Sequence, residues 1–434
     1  RLARPRGDAG GGRRLKPVPA VDGRARSRSV ADLLAERTEA NRAFFAAEAE
    51  RVARLCHRMA ERFARGGRLV AFGRRPDARS DARHVAVEFV HPVIVGKRAL
   101  PALALAAEGG DLVTQVELAA EPDDIAIGFG IEEDGGEAAA ALASARARGC
   151  LTIAFAPSSA AEWAFDPPSD DPFLRQELAE TLYHVLWELV HVFFEHRGLL
   201  EGRAVEPLHD TGASSFLYPF LAEQETGLDA VVADVRDSVL IKAEDVGALR
   251  EQTLTDGADE LLTAAATLRA SFDSQGKLLC LGNGGSATDA MDAAADFRDP
   301  PSAHEGEPGR SWRARRALDL TEDPAILTAI ANDIGVEAIF ARQIIALGRD
   351  GDAVLTLSTS GNSVNVIAAL AEARRRGLRT VAMVGYDGGR IAAERLADHV
   401  VVTRSEHLPR IQEAQASAYH VLRELVESAV AEGT

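Results

Sequence analysis

With 434 residues, 46% of them hydrophobic, the chain has room for two ordinary domains, each able to bury its own core. A net charge of −17 disfavours nucleic acid as a partner of the protein body, and no apolar run reaches the length of a membrane span. Cys56, Cys150 and Cys280 are odd in number, widely spaced and without a CxxC pair, which argues against a disulfide framework or a structural zinc site and leads us to expect a cytoplasmic protein.

The first 28 residues hold nine Lys/Arg against Asp8 and Asp22 and are rich in Gly and Pro, so residues 1–29 are expected to form a disordered basic tail. Beyond the tail the chain repeats itself. Arg68-Leu-Val-Ala-Phe-Gly73 matches Lys277-Leu-Leu-Cys-Leu-Gly282. The helical Glu137–Gly149, followed by the apolar Leu151–Phe155, matches Asn365–Gly377 followed by Arg379–Met383, at a constant offset of 228 residues. Tyr183-His-Val-Leu-Trp-Glu-Leu-Val190 matches Tyr419-His-Val-Leu-Arg-Glu-Leu-Val426. Three matches in the same order indicate a tandem duplication. Short continuous apolar runs such as Ala353–Leu357, alternating with helices, predict parallel strands covered on both faces. The expected fold is α/β: two doubly wound parallel-sheet domains flanked by helices, over 30–200 and 237–434, with a packed linker at 201–236.

The second half carries two loops with the chemistry of phosphate binding. Gly282-Asn-Gly-Gly-Ser-Ala287 lies between an apolar strand and the helical Thr288–Phe297. Ser358-Thr-Ser-Gly-Asn-Ser363 lies between another strand and helix. Glycines allow close backbone approach, and hydroxyls with helix-start N–H groups favour an anion. No Walker-type Lys-Ser/Thr follows either loop, so a nucleotide cofactor is not expected. In the first half the corresponding loops are Gly73-Arg-Arg-Pro-Asp-Ala-Arg-Ser80 and Gly130-Ile-Glu-Glu-Asp-Gly-Gly136; the second sets Glu132, Glu133 and Asp134 where they would repel phosphate.

Together with Leu327-Thr-Ala-Ile-Ala-Asn-Asp333, Phe340-Ala-Arg-Gln343 and Arg410-Ile-Gln-Glu413, these loops make the second half resemble the phosphoheptose isomerases, members of the sugar isomerase (SIS) fold. The resemblance implies interconversion of sedoheptulose 7-phosphate and a heptose 7-phosphate through an enediol. It implies a phosphosugar bound by Asn283, Gly284, Gly285, Ser286, Asp323, Ser358, Thr359, Ser360, Ser363 and Gln412. It also implies zinc in some members, and tetramers with sites between subunits, so two copies of this double chain would restore four domains. The family's ligand set is a His, a Glu four residues on, and a Gln and a His eight apart on the closing helix, with Glu and His as base and acid. In the first half these positions are His84, Glu88, Gln176 and His184. In the second they are Asp292, Asp296, Gln412 and His420, two of them altered. A composite site is expected if the halves pack as two subunits do: the second half's loops served by His84 and Glu88, with His184 or His420 as the acid. The alternative is a site within the second half built on Asp292, Asp296, Gln412 and His420. A non-catalytic phosphosugar sensor or assembly protein is the rival function; a deglycase or aminotransferase module lacks its accompanying amidotransferase sequence.

Overall fold

The computed structural model describes residues 28–93, 97–106, 110–132, 136–196, 199–200, 227–300 and 312–428. The expected tail and most of the expected linker lie outside them, although Ser29 already caps the first helix by accepting from the Asp32 N–H at 3.2 Å. The first half runs α1 (Val30–Ala64), β1 (Leu69–Phe72), α2 (Pro76–Val90), β2 (Ala102–Leu105), α3 (Leu112–Ala119), β3 (Ile125–Gly128), α4 (Glu137–Ala147), β4 (Leu151–Ala154), β5 (Trp163–Ala164) and α5 (Pro172–Glu195). The second half opens with α6 (Leu228–Asp256) and α7 (Ala258–Asp273), then β6 (Leu278–Leu281), α8 (Gly285–Arg298), β7 (Ala317–Asp319), α9 (Pro324–Asp333) and α10 (Ile339–Leu347). It closes with β8 (Ala353–Ser358), α11 (Val364–Arg375), β9 (Arg379–Gly385), α12 (Gly389–Ala393), β10 (His399–Thr403) and α13 (Leu408–Ser428).

Each half holds one parallel five-stranded sheet, ordered β2-β1-β3-β4-β5 and β7-β6-β8-β9-β10, so the two topologies are the same. The central strands β1, β3, β4, β6 and β8 are buried along their whole length, which is why they read as unbroken apolar runs rather than as an alternation. No helix among the described residues is long and apolar enough to cross a membrane.

Counterpart meets counterpart between the halves: α1 packs on α6, α2 on α8 and α5 on α13. This is the pattern of a two-fold interface, realised within one chain. The leading helices also exchange. Val231, Val232, Val235, Val239 and Ala243 of α6 sit in the core of the first half, whereas Val30 and Leu33 of α1 sit in that of the second. No single cut in the chain therefore separates the two cores.

Buried charge crosses the same interface. Glu177 on α5 accepts from Arg37 Nε at 3.0 Å, from the Ser417 hydroxyl and from His420 Nδ1 at 2.9 Å, the last two on α13. Burial alone would raise this carboxyl, but Arg37 and His420 outweigh it and hold Glu177 below the ordinary carboxylate range. Removing one partner from such a network strands the others without water. We expect Glu177→Gln to destabilise the protein by about 3–5 kcal/mol, read as a lowered denaturant midpoint at neutral pH. A loss under about 1 kcal/mol would show that the network does not hold the halves together.

Candidate active site between the halves

The phosphate-type loops sit at the carboxyl ends of neighbouring strands β6 and β8. The first is tighter than its sequence suggested, because α8 begins at Gly285 and not at Thr288, placing Gly285 and Ser286 in the first helical turn. Gly284 has φ +59°, a left-handed conformation that glycine adopts without cost. A side chain on Gly285 would come within 1.9 Å of Gln412 Nε2 and 2.8 Å of His84 Nε2. In the second loop Ser358 Oγ accepts from the Gly361 N–H at 3.2 Å and lies 3.4 Å from Ser363 Oγ, while the Asn362 N–H donates to Ser360 Oγ at 3.2 Å. Neither Gly284 nor Ser363 caps its helix through a side chain. The two loops are joined by a reciprocal amide pair, Asn283 to Asn365 at 3.0 Å and Asn365 to Asn283 at 2.8 Å. Thr359 is half-buried beside Ser360. Asp323 is committed to capping α9, accepting from Ala325 N at 2.9 Å and Ile326 N at 3.1 Å.

Against this first loop stand side chains of the first half. His84 Nε2 lies 3.3 Å from His184 Nε2, 3.3 Å from Gln412 Nε2 and 3.9 Å from Glu88 Oε1, and all four residues are buried. His184 Nδ1 is held at 2.9 Å by Glu413 of the other half, which turns Nε2 towards His84. Burial lowers both imidazoles, His84 well below its ordinary value and His184 to about 3, with His184 and Arg410 respectively adding to it. Burial, reinforced by Glu188 and Glu413, raises Glu88 to about 8. Glu180, one turn before His184, is likewise pushed well above the carboxylate range by burial and by Asp289. Asp289 lies 3.4 Å from His84 Nδ1.

This donor set suits a divalent cation. Two neutral imidazole nitrogens 3.3 Å apart match the edge of a tetrahedron around zinc, about 3.3 Å for bonds of ~2.0–2.1 Å. A half-turn of the Gln412 amide presents its oxygen to the same point. Glu88 Oε2 and Glu180 Oε1 are buried without a hydrogen-bond partner, as ligands awaiting an ion would be.

Residues 243–385 match the SIS domain family, a span that contains both loops. Over 194 residues the chain is 41% identical to the phosphoheptose isomerase of Pelobacter propionicus, covering 45% of this chain and 98% of that protein. Over 204 residues it is 42% identical to that of Chlorobium phaeobacteroides, covering 46% and 84%. The chain belongs to the phosphoheptose isomerase family. Several solved structures match nearly its whole length, two of which illustrate the likeness. One is the C-terminal domain of glucosamine-fructose-6-phosphate aminotransferase from Francisella tularensis, with TM-score 0.55 and 11% identity, covering 94% of this chain and 98% of that one. The other is tagatose-6-phosphate ketose/aldose isomerase from Escherichia coli, with TM-score 0.53 and 14% identity, covering 96% of each. At such identities they establish only that the whole two-sheet fold is shared.

Measured against the ligand set of phosphoheptose isomerases, one expected member is elsewhere. The amide beside His84 is Gln412, not Gln176, which instead hydrogen-bonds Asp81. Eight residues span about 12 Å of helix, so a closing helix presents its Gln and its His at different ends. Crossing of α5 and α13 then brings the His of one beside the Gln of the other.

The opposite constellation is built differently. Asp292 accepts from Tyr419 at 2.8 Å and from Ser80 at 3.1 Å, and His420 Nε2 lies 3.4 Å from Asp292 and 3.5 Å from Asp296. Burial disfavours a charged His420, but its contacts with Asp292, Glu177 and Asp296 prevail and raise it to about 10. The ligand atoms of Asp292, Asp296 and His420 also lie within 4.8 Å of one another, so here ion pairing competes with any cation for the same atoms. Burial and Asp292 push Asp296 well up. Beside it the first-half loop is occupied by its own pairs, Arg74 with Glu137 at 2.9 Å and Arg75 with Asp77 at 3.0 Å. Glu132 is exposed; Glu133 and Asp134 lie outside the described residues.

Sequence reading missed Glu180, Asp289 and the crossed pairs His184–Glu413 and His420–Glu177. The available signal was the spacing of Glu177, Glu180, His184 and Glu188 along one otherwise apolar helix. If the Ser358–Ser363 loop cradles phosphate, Ser360→Asp should abolish phosphosugar binding by calorimetry while leaving the circular dichroism spectrum unchanged. Binding that survives this added charge would remove the loop from the site.

Proposed function

We propose that the chain is an aldose–ketose isomerase that interconverts sedoheptulose 7-phosphate and a heptose 7-phosphate in one composite site. The observation that carries this reading is that His84 Nε2, from the first half, stands 2.8 Å from where a Cβ on Gly285 of the second half's loop would lie. Phosphate is held by Ser286, Ser358, Thr359, Ser360 and Ser363, with backbone N–H groups at the starts of α8 and α11. The reacting carbons then lie towards Glu88, His84 and His184. Moving a proton between C1 and C2 requires a carboxyl group able to gain and lose it near neutral pH, and burial has brought Glu88 to about 8. His84, His184 and Gln412 would hold a divalent cation that polarises the substrate's carbonyl and hydroxyl oxygens, while Glu88 carries the proton. His420 is tied to Glu177, Asp292 and Asp296 and takes no part.

We also assign a second copy of the chain as partner. Ile326, Ile334, Val336, Ile345, Leu347 and Val364 form an exposed apolar set on and around α9 and α10, and α9 buries none of its residues. Faces of this kind mark interaction surfaces.

Kinetics with sedoheptulose 7-phosphate separate the alternatives. Glu88→Gln should lower kcat by ~10²-fold or more while phosphosugar affinity stays nearly unchanged, because the anion cradle is untouched. Asp296→Asn should leave kcat close to that of the parent. The reverse pattern would assign catalysis to the second half alone, and an inactive parent that still binds the sugar would favour a sensor.

A further inference from the structure

The family ligand set leaves two buried acids at the site unaccounted for, Asp289 and Glu180, and only Glu180 offers an oxygen that groups with both imidazoles. Glu180 lies on α5 between Gln176 and His184, one turn from the latter and therefore on the same helix face. It is 3% exposed, and its Oε1 has no hydrogen-bond partner. Ligand atoms of His84, Glu180 and His184 all lie within 4.8 Å of one another. The fold itself does not ask for a carboxylate here. Counting from the aligned pair Gln176 and Gln412, the counterpart of Glu180 on α13 is Ala416, equally buried in the same helix crossing. An acid that the other half replaces with a methyl group, and whose Oε1 is left without a hydrogen bond beside two imidazoles, has the surroundings of a ligand more than of a structural residue, Arg250 being its one attractive charge.

We propose that Glu180 is a metal ligand: with His84 and His184 it forms a two-imidazole, one-carboxylate site for a zinc-like divalent cation. The assignment rests on the composite site described above and adds to it. A carboxylate neutralises part of the ion's charge, which the amide of Gln412 cannot do, so the ion is retained firmly. It also releases Glu88 from obligatory ligation, leaving that carboxyl available to carry the substrate proton.

The test uses the full chain, stripped by chelation and titrated with Zn2+ by calorimetry and with Co2+ by visible absorption. Glu180→Gln should weaken Zn2+ binding by about 100-fold or more and alter the Co2+ spectrum, whereas Glu88→Gln should change affinity by less than about tenfold. Glu180→Ala, which copies the residue at 416, is the second variant and should behave alike. The melting temperature of each metal-free variant reports whether it folds. Parent-like Zn2+ affinity and Co2+ spectra in either folded variant would overturn the assignment, as would a parent chain that takes up neither ion. Sugar-phosphate turnover by a parent chain that takes up neither ion would preserve the isomerase reading while sinking this one. Loss of turnover in Glu180→Gln with full metal binding would point to a role for Glu180 on the substrate instead.

Discussion

Each closing helix carries a fully buried histidine whose Nδ1 is held, at 2.9 Å, by a glutamate of the opposite half: His184 by Glu413 and His420 by Glu177. These crossed pairs tie the halves in one register, and they aim each Nε2 at the helix that follows its own half's first loop. A histidine fixed through Nδ1 has only Nε2 left for chemistry. The orientation of both sites therefore follows from the packing of α5 on α13, and a half folded alone would lack the carboxylate that sets it.

From that common frame the two sites diverge at several positions, the first of them facing the closing-helix histidine. His84 sits opposite His184, whereas Asp292 sits opposite His420. Burial holds both imidazoles below their ordinary values, with His184 adding to it at His84 and Arg410 at His184. Replacing one with a carboxylate reverses the balance, because a proton on His420 is then stabilised by Asp292, Asp296 and Glu177 together. Burial thus works against a charge on the imidazoles of one side, whereas ion pairing favours a charge on the imidazole of the other. The difference needs no change in backbone: α2 and α8 are counterparts, and they pack against each other.

Much of this was legible in the sequence. The repeat located the two sheets, and the glycine and serine loops stood out because close anion approach restricts residue type. The candidates His84, Glu88, His184 and Gln412 came from the resemblance to phosphoheptose isomerases, helix spacing adding only that His84 and Glu88 share a face. The partition of those residues between sites was not recoverable. Whether Gln176 or Gln412 joins His84 depends on how α5 crosses α13, a long-range packing result with no local signature. The exchange of the leading helices was hidden for the same reason: Val30 and Val239 are apolar whichever core they enter. Glu180 could be read only as one acid among several on α5 until its unpaired oxygen was located beside His84 and His184.

The composite geometry also changes the meaning of the losses. Read along the chain, the damage looks shared: the first half has lost its loops and the second has lost its His and Glu. In space, Ser80 at the start of α2 bonds Asp292, so the arginine-bearing loop before α2 and the altered acids of α8 border one site. Both sets of changes therefore fall on the same side of the pseudo-two-fold axis. The intact loops of the second half and the intact His84, Glu88 and His184 of the first fall together on the other. In a symmetric dimer of single domains every substitution is imposed on both sites at once. Joining two copies in one chain removes that coupling. One site can then retain phosphate donors and neutral imidazoles while its twin becomes an ion-paired joint between the halves. The charge buried at that joint, from Arg37 through Glu177 to His420 and Asp292, helps to hold α5 and α13 in the crossing on which the retained site depends.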